Sequence, residues 1–161
     1  MMNRTQHLQT LMGRTLSTLA MAALLGVWSA TAGAAGDIAS QTISKPFAKV
    51  VTRMRKEIAG HKLVIVKEVP YQKMLKMVGT KSEPIMGFEV FHPRYGKVLY
   101  KADVTSFKEV PLRILVRGAG GEKVIVEYRK PSAVLAAYPG LSSLGKELDA
   151  AFADIVKRAG K

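Results

Sequence analysis

The sequence shows its clearest structural pattern at Pro111–Arg117 (PLRILVR), Gly118–Glu122 (GAGGE) and Lys123–Tyr128 (KVIVEY). The two outer runs are short, apolar and rich in β-branched residues, which is typical of strands. The glycine-rich segment between them has the length and composition of a hairpin loop. The sequence therefore predicts an antiparallel strand pair in the second half of the chain.

Further strands are predicted on the N-terminal side of this hairpin. Short apolar or alternating runs bounded by proline or glycine indicate a strand of this kind. The four runs are Ala39–Ser44 (ASQTIS), Leu63–Val69 (LVIVKEV), Ile85–Phe91 (IMGFEVF) and the short Lys97–Lys101 (KVLYK).

Three segments have helical spacing. Within residues 46–59, apolar residues recur at intervals that place them on one face, with Ser44 as the expected N-cap and Gly60-His61 as the end. A shorter helix is predicted after Pro70-Tyr71, with its methionine, leucine and valine in the core. The last helix is predicted over Ser142–Ala159.

The predicted order is (β)αβαβ(β)ββα. Because helices bracket a run of strands, the fold class is α+β, a single mainly antiparallel sheet packed against helices. We expect one domain over residues 36–161.

The N-terminal 35 residues have the features of a secretory signal peptide. Arg4 and Arg14 are followed by the apolar stretch Thr15–Ser29 and by small residues that suit cleavage near Ala34 or Ala35. The apolar stretch is shorter than the ~20 residues that cross a bilayer. We therefore predict a periplasmic or secreted protein.

The chain is strongly basic, with 25 Lys and Arg against 12 Asp and Glu. Removal of residues 1–35 takes away two arginines and no acid, and leaves +11 on 126 residues. Export and the lack of aromatic residues interleaved with the basic ones argue against a nucleic-acid partner. The expected partners are an acidic protein or an anionic membrane surface, and one basic stripe, on the first helix, consists of Lys45, Lys49, Arg53 and Lys56.

Three motifs occur in order: Val90–Gly96 (VFHPRYG), Pro111–Val116 (PLRILV) and Val126–Pro131 (VEYRKP). Together they resemble the family known as domain of unknown function 302, and the resemblance covers roughly Ser44–Ala159. It implies a compact sheet-and-helix fold, frequent export and a homodimer, but no activity. The chain departs from the family pattern at Phe91-His92, where Gly-Asn is usual, and at Tyr138–Leu141.

The His92–Gly96 turn is the expected working surface, because sites are commonly built in loops at strand ends. We predict ligand-binding roles for His92, Arg94, Tyr95 and Tyr128. His92 has a second interpretation, in which its ring caps the turn in place of the family's asparagine.

A metal site is the other chemistry considered. Met86 and His92 are candidate ligands, and the spacing Met74-x-x-Met77 is compatible with thioether ligation of Cu(I). Core packing is the favoured interpretation of Met74 and Met77, because methionine commonly fills gaps in cores.

The sequence contains no cysteine, which excludes disulfides, thiolate zinc sites and cysteine nucleophiles. It also lacks the G-x-S-x-G, H-E-x-x-H and phosphate-loop motifs. We therefore expect a small exported binding or accessory protein with no cofactor and no catalytic residue. The alternative is a metal- or haem-handling protein of the cell envelope that uses His92 and a methionine.

Overall fold

A computed structural model describes residues 36–161, and the predicted signal peptide lies outside the described residues. The strands are β1 (Ile38–Ser44), β2 (Val64–Val69), β3 (Ile85–Phe91), β4 (Leu112–Gly118) and β5 (Lys123–Arg129). They form one sheet in the order β1-β5-β4-β3-β2, and every neighbouring pair is antiparallel. The predicted α+β fold class and the hairpin, now β4–β5, are confirmed.

Helices and 3₁₀ turns connect the strands. The helices are α1 (Phe47–Gly60), α2 (Tyr71–Met77), α3 (Gly96–Ala102), α4 (Pro131–Val134) and α5 (Ser142–Ala159). The 3₁₀ turns cover Pro93–Tyr95, Val104–Glu109 and Pro139–Leu141. Among residues 36–161, no helix has both the length and the apolar character needed to cross a membrane.

One face of the sheet packs against α1 and α5, which also contact each other. Side chains alternate along each strand, so one set of apolar residues reaches the helices and the other set faces away. Phe88, Met54 and Phe152 are the largest fully buried side chains on β3, α1 and α5. The opposite face carries cross-strand ion pairs, Arg117 Nε to Glu127 Oε2 at 2.8 Å and Arg113 Nη2 to Glu89 Oε1 at 3.4 Å.

A glycine allows α5 to approach α4 closely. A Cβ atom on Gly145 would lie 2.7 Å from the Cα of Ser132. One turn later, the carboxylate of Asp149 accepts hydrogen bonds from the backbone N–H of Ser132 at 2.9 Å and from its hydroxyl at 2.5 Å. Asp149 thus satisfies a backbone donor at the start of α4, where helical partners are lacking.

Two local predictions were wrong. Lys97–Lys101 is not a strand but most of α3, because the 3₁₀ turn Pro93–Tyr95 continues directly into a helix that buries Leu99. Ser44 is not the cap of α1, because β1 extends through Ser44 and pairs it with Lys123, and no side chain caps α1.

Candidate functional site

His92 caps the turn that follows β3. Its Nδ1 accepts a hydrogen bond from the backbone N–H of Arg94 at 3.0 Å, and its carbonyl accepts one from Tyr95 at 3.0 Å. Pro93 occupies the first position of the 3₁₀ turn, where a missing N–H costs nothing. The ring therefore performs the capping role considered from the sequence.

Arg94 and Tyr95 form a polar network with Glu147 of α5. The Arg94 guanidinium lies 4.6 Å from the centre of the Tyr95 ring and donates a hydrogen bond to the Tyr95 hydroxyl. That hydroxyl donates to Glu147 Oε1 at 3.2 Å. The Tyr95 ring is buried, and this burial raises the pKa of its phenol, although the Arg94 hydrogen bond acts in the opposite direction. The phenol therefore stays protonated, and its hydroxyl donates a hydrogen bond to Glu147.

These side chains border an open concavity of about 480 Å³, which we call the Arg94–Glu147 cleft. It lies where α3 and the turn Pro139–Leu141 meet the first turns of α5. The cleft combines a cation, a carboxylate and two hydroxyl groups with apolar contacts, a composition that suits a small polar ligand. Its lining consists of Arg94, Tyr95, Val98, Gly140, Ser143, Leu144 and Glu147.

A second, deeper space lies beneath Tyr95 and is not a ligand site. It holds about 10 Å³ and is enclosed by core residues such as Leu99, Leu112 and Phe152. That volume is at the limit for one water molecule, and the apolar lining offers a water few partners. The space is a small packing gap.

Tyr128 is not part of this cleft. It lies in β5 opposite Ile114, with only 8% of its surface exposed, and its ring packs edge-on against Phe152 at 5.3 Å. The structure therefore brings Arg94 and Tyr95 together beside His92, and places Tyr128 in the core between the sheet and α5.

Met86 is the second residue of β3, and His92 directly follows the strand. Six residue-to-residue steps of extended chain separate their Cα atoms by about 20 Å, which is too far for both side chains to bind one metal ion. Within the described part of the chain, no group of three or more His, Asp or Glu residues is placed to hold a metal.

Core packing was a wrong interpretation of Met74 and Met77. Both lie on α2, where 49% and 85% of their surfaces are exposed. The helix instead contacts the sheet through Tyr71, whose ring fills the space above Gly87 so closely that a Cβ there would lie 2.8 Å from Cε2. Met77 lies about 120° around α2 from Tyr71 and points to solvent, and Met74, about 60° from Tyr71, is half exposed.

Glu147 is the charged residue of the cleft that the sequence analysis did not single out. It follows Tyr95 by 52 positions, and on α5 it reads as an ordinary exposed polar residue between buried Leu144 and Leu148. Only the packing of α5 beside the turn gives it a role.

The described geometry is that of a compact α+β domain with a capped turn beside a polar cleft. The family model described as domain of unknown function DUF302 matches residues 39–159, so this chain belongs to the DUF302 family. A search of curated proteins gave no match.

Among solved structures, the chain is similar to an uncharacterized conserved DUF302 protein from Bacillus stearothermophilus, known from a crystal structure. The TM-score is 0.70 at 16% sequence identity, and the match covers 76% of this chain and 98% of the other. This likeness establishes the fold.

Proposed function

We propose that this chain is a small exported binding protein, periplasmic or secreted, whose ligand site is the Arg94–Glu147 cleft. The observation that carries the proposal is the hydrogen-bonded series from Arg94 through the Tyr95 hydroxyl to Glu147 at the edge of an open concavity. Opposite charges held in place by a buried ring provide orientation without a large cost in side-chain entropy.

The same groups indicate the chemistry of the ligand. A guanidinium has five N–H donors, and the Tyr95 hydroxyl accepts from one of them. The exposed Arg94 can therefore bind a carboxylate through two parallel hydrogen bonds. Glu147 accepts hydrogen bonds, so the ligand class that suits both ends is a small zwitterion such as a free amino acid.

The test is saturation-transfer NMR with a panel of free amino acids at millimolar concentration. We expect binding by the wild-type protein and a loss of at least about tenfold in affinity for each of two variants. Arg94→Gln removes the paired charged hydrogen bonds to the ligand carboxylate, and Glu147→Gln removes the charged acceptor for the ligand's amino group. Arg113→Gln, on the other face of the sheet, is the matched control and should bind normally. No binding by the wild-type protein, or equal losses for Arg94→Gln and Arg113→Gln, would contradict the proposal.

Export and assembly are part of the same proposal. The basic n-region, apolar stretch and small residues near Ala34 and Ala35 support cleavage after Ala34 or Ala35, that is, before residue 35 or 36. Cell fractionation with N-terminal sequencing of the purified protein tests this. The homodimer implied by the family resemblance is tested by light scattering coupled to size-exclusion chromatography.

The alternative of a metal- or haem-handling protein draws no support from the geometry. The Nδ1 atom of His92 already accepts the Arg94 N–H, and Met86 lies about 20 Å along the strand from His92. We therefore retain the binding protein as the proposed function.

A further inference from the structure

Helix α2 exposes the most accessible large apolar side chains in the described part of the chain. Met77 is 85% exposed and the adjoining Val78 is 76% exposed. Isolated apolar residues on a surface are ordinary, but Met74, Met77 and Val78 are clustered on one short element. A cluster of this kind needs an explanation other than core packing.

Three lysines surround these residues, and acidic residues are missing from the segment. Lys73, Lys76 and Lys81 are all exposed, and residues 69–82 contain no Asp or Glu. At 100° per residue, Met77 lies only about 40° from Lys73 and on the side of α2 away from Tyr71. We call this set, Lys73, Met74, Lys76, Met77, Val78 and Lys81, the α2 surface.

Several contacts attach the α2 surface to the rest of the domain. The Tyr71 ring occupies the space above Gly87, and Gln72 Nε2 donates to the carbonyl of Ser82 at 3.3 Å. The backbone N–H of Thr80 donates to the Leu75 carbonyl at 2.9 Å, and Gly79 adopts a positive φ of 76° that turns the chain back. The apolar and basic groups are therefore presented together before any partner is met.

We propose that the α2 surface docks the protein on an anionic phospholipid membrane. Met77 and Val78 would enter the interfacial region, and the three lysines would contact lipid phosphates. Exposed apolar side chains beside lysines are the composition of interfacial membrane-binding elements. The Arg94–Glu147 cleft has no part in this docking, so the two proposals can fail separately.

The basic stripe on α1 provides an internal comparison. Lys45, Lys49, Arg53 and Lys56 also form a positive surface, and the α1 residues that would add an apolar contribution, such as Val50 and Met54, are buried. The α1 stripe can attract anions only by charge. The α2 surface adds apolar groups, and this addition favours a membrane over an acidic protein as its partner.

The test uses residues 36–161, which lie in one compact unit. Vesicles of phosphatidylglycerol and phosphatidylcholine are compared with vesicles of phosphatidylcholine alone in sedimentation assays. We expect binding to the anionic vesicles, which weakens roughly 100-fold in the triple variant Lys73→Gln, Lys76→Gln, Lys81→Gln, at about a factor of five for each lysine. The variant Met77→Ser, Val78→Ser should weaken it about tenfold.

The matched control removes the same number of charges from the basic stripe at α1 and the residues just before it, in Lys45→Gln, Lys49→Gln, Arg53→Gln. It should weaken binding less than fivefold, since those residues would not reach the headgroups. Equal losses of vesicle binding in the two triple variants would mean that the net charge of the protein alone drives binding, and would overturn the proposal. So would an absence of vesicle binding at physiological salt, or binding to polyglutamate in place of vesicles. Circular dichroism confirms that each variant is folded.

Insertion has an independent optical readout. The single Trp of the chain is Trp28, so residues 36–161 contain none. Met77→Trp therefore introduces a unique fluorophore, whose emission should shift to the blue on anionic vesicles as the indole enters the interface. Val104→Trp, at an exposed apolar site after α3, is the control and should not shift. A shift in the control but not at position 77 would also overturn the proposal.

Discussion

The Nε2 atom of His61 lies 3.0 Å from Oδ2 of Asp154, so the residue that ends α1 is joined to α5. The Nδ1 atom of the same ring lies 2.8 Å from the carbonyl oxygen of Glu57. Asp154 also accepts from Arg158 Nε at 2.6 Å. This network fastens the two helices that cover the sheet.

Asp154 should make acid stability dependent on this network. The hydrogen bond from Arg158, followed by that from His61, lowers the pKa of Asp154 below its usual 3.8. A lowered pKa gives stability that is present above the unfolded value and is lost as the pH falls through the folded value. Asp154→Asn should therefore melt at a lower temperature than wild type at about pH 6, and the difference should shrink below pH 3.8.

Thermal melts followed by circular dichroism across this pH range measure the effect. Asp37→Asn makes the same chemical change just before β1 and serves as the control. A difference between wild type and Asp154→Asn that stayed constant down to about pH 2 would show that the ionised carboxylate is not responsible.

Gly145→Ala should destabilise the domain even though alanine is the better helix former. The added Cβ would lie 2.7 Å from the Ser132 Cα, and a backbone atom cannot move aside as a flexible side chain can. Overpacking of this kind costs about 1–3 kcal/mol, more than the gain in helix propensity of about 1 kcal/mol. Urea unfolding measures the change. Gly60→Ala, where no atom lies within 4 Å of the new Cβ, should leave the free energy of unfolding unchanged or slightly higher.

The cap at His92 should tolerate asparagine and not alanine. Asparagine offers a side-chain oxygen to the Arg94 N–H, whereas alanine leaves that donor without its partner. We expect a loss of about 1 kcal/mol in the free energy of unfolding for His92→Ala and less than about 0.5 kcal/mol for His92→Asn. Equal losses for the two variants would mean that the imidazole contributes through its packing.

Two tyrosines should make the fold sensitive to alkali. Burial is the main cause that raises the pKa of both Tyr95 and Tyr128 above the usual 10.0. A raised pKa gives stability that is present below the unfolded value and is lost as the pH rises through the folded value. Stability should thus fall above about pH 10, and Tyr95→Phe or Tyr128→Phe should reduce this fall. Chemical unfolding at several alkaline pH values, with absorbance titration of phenolate, tests this prediction. A loss of stability above about pH 10 that is the same in both variants as in wild type would contradict it.

Local patterns predicted most of the fold. The strand Ile85–Phe91 and the helix Ser142–Ala159 have the predicted bounds, because their apolar spacing is regular and their ends carry proline or glycine. The prediction of a strand over residues 97–101 was wrong because Val98, Leu99 and Tyr100 alternate in exposure in a short helix just as they would in a strand. In so short a run, periodicity alone does not separate the two.

The candidate site was predicted in part. The turn supplied Arg94 and Tyr95 because they are adjacent in sequence, whereas Glu147 and the His61–Asp154 pair depend on α5 packing over distant residues. The exposure of Met77 was missed for a related reason. Helical spacing indicates which side chains share a face, but Tyr71 above Gly87 decides which face of α2 meets the sheet.

The pairing of β1 with β5 has a consequence for the order of assembly. Residues 38–44 are hydrogen-bonded only to residues 123–129 within the sheet, so a ribosome must synthesise more than three quarters of the chain before the first strand has a partner. Such distant pairing slows folding, because the entropy cost of closing a long loop comes before the stabilising contacts between the two strands can form. The sheet can be completed only late in synthesis. Until then, the first strand is unpaired, and the N-terminal part of the nascent chain can stay unfolded, as passage through a secretion channel requires.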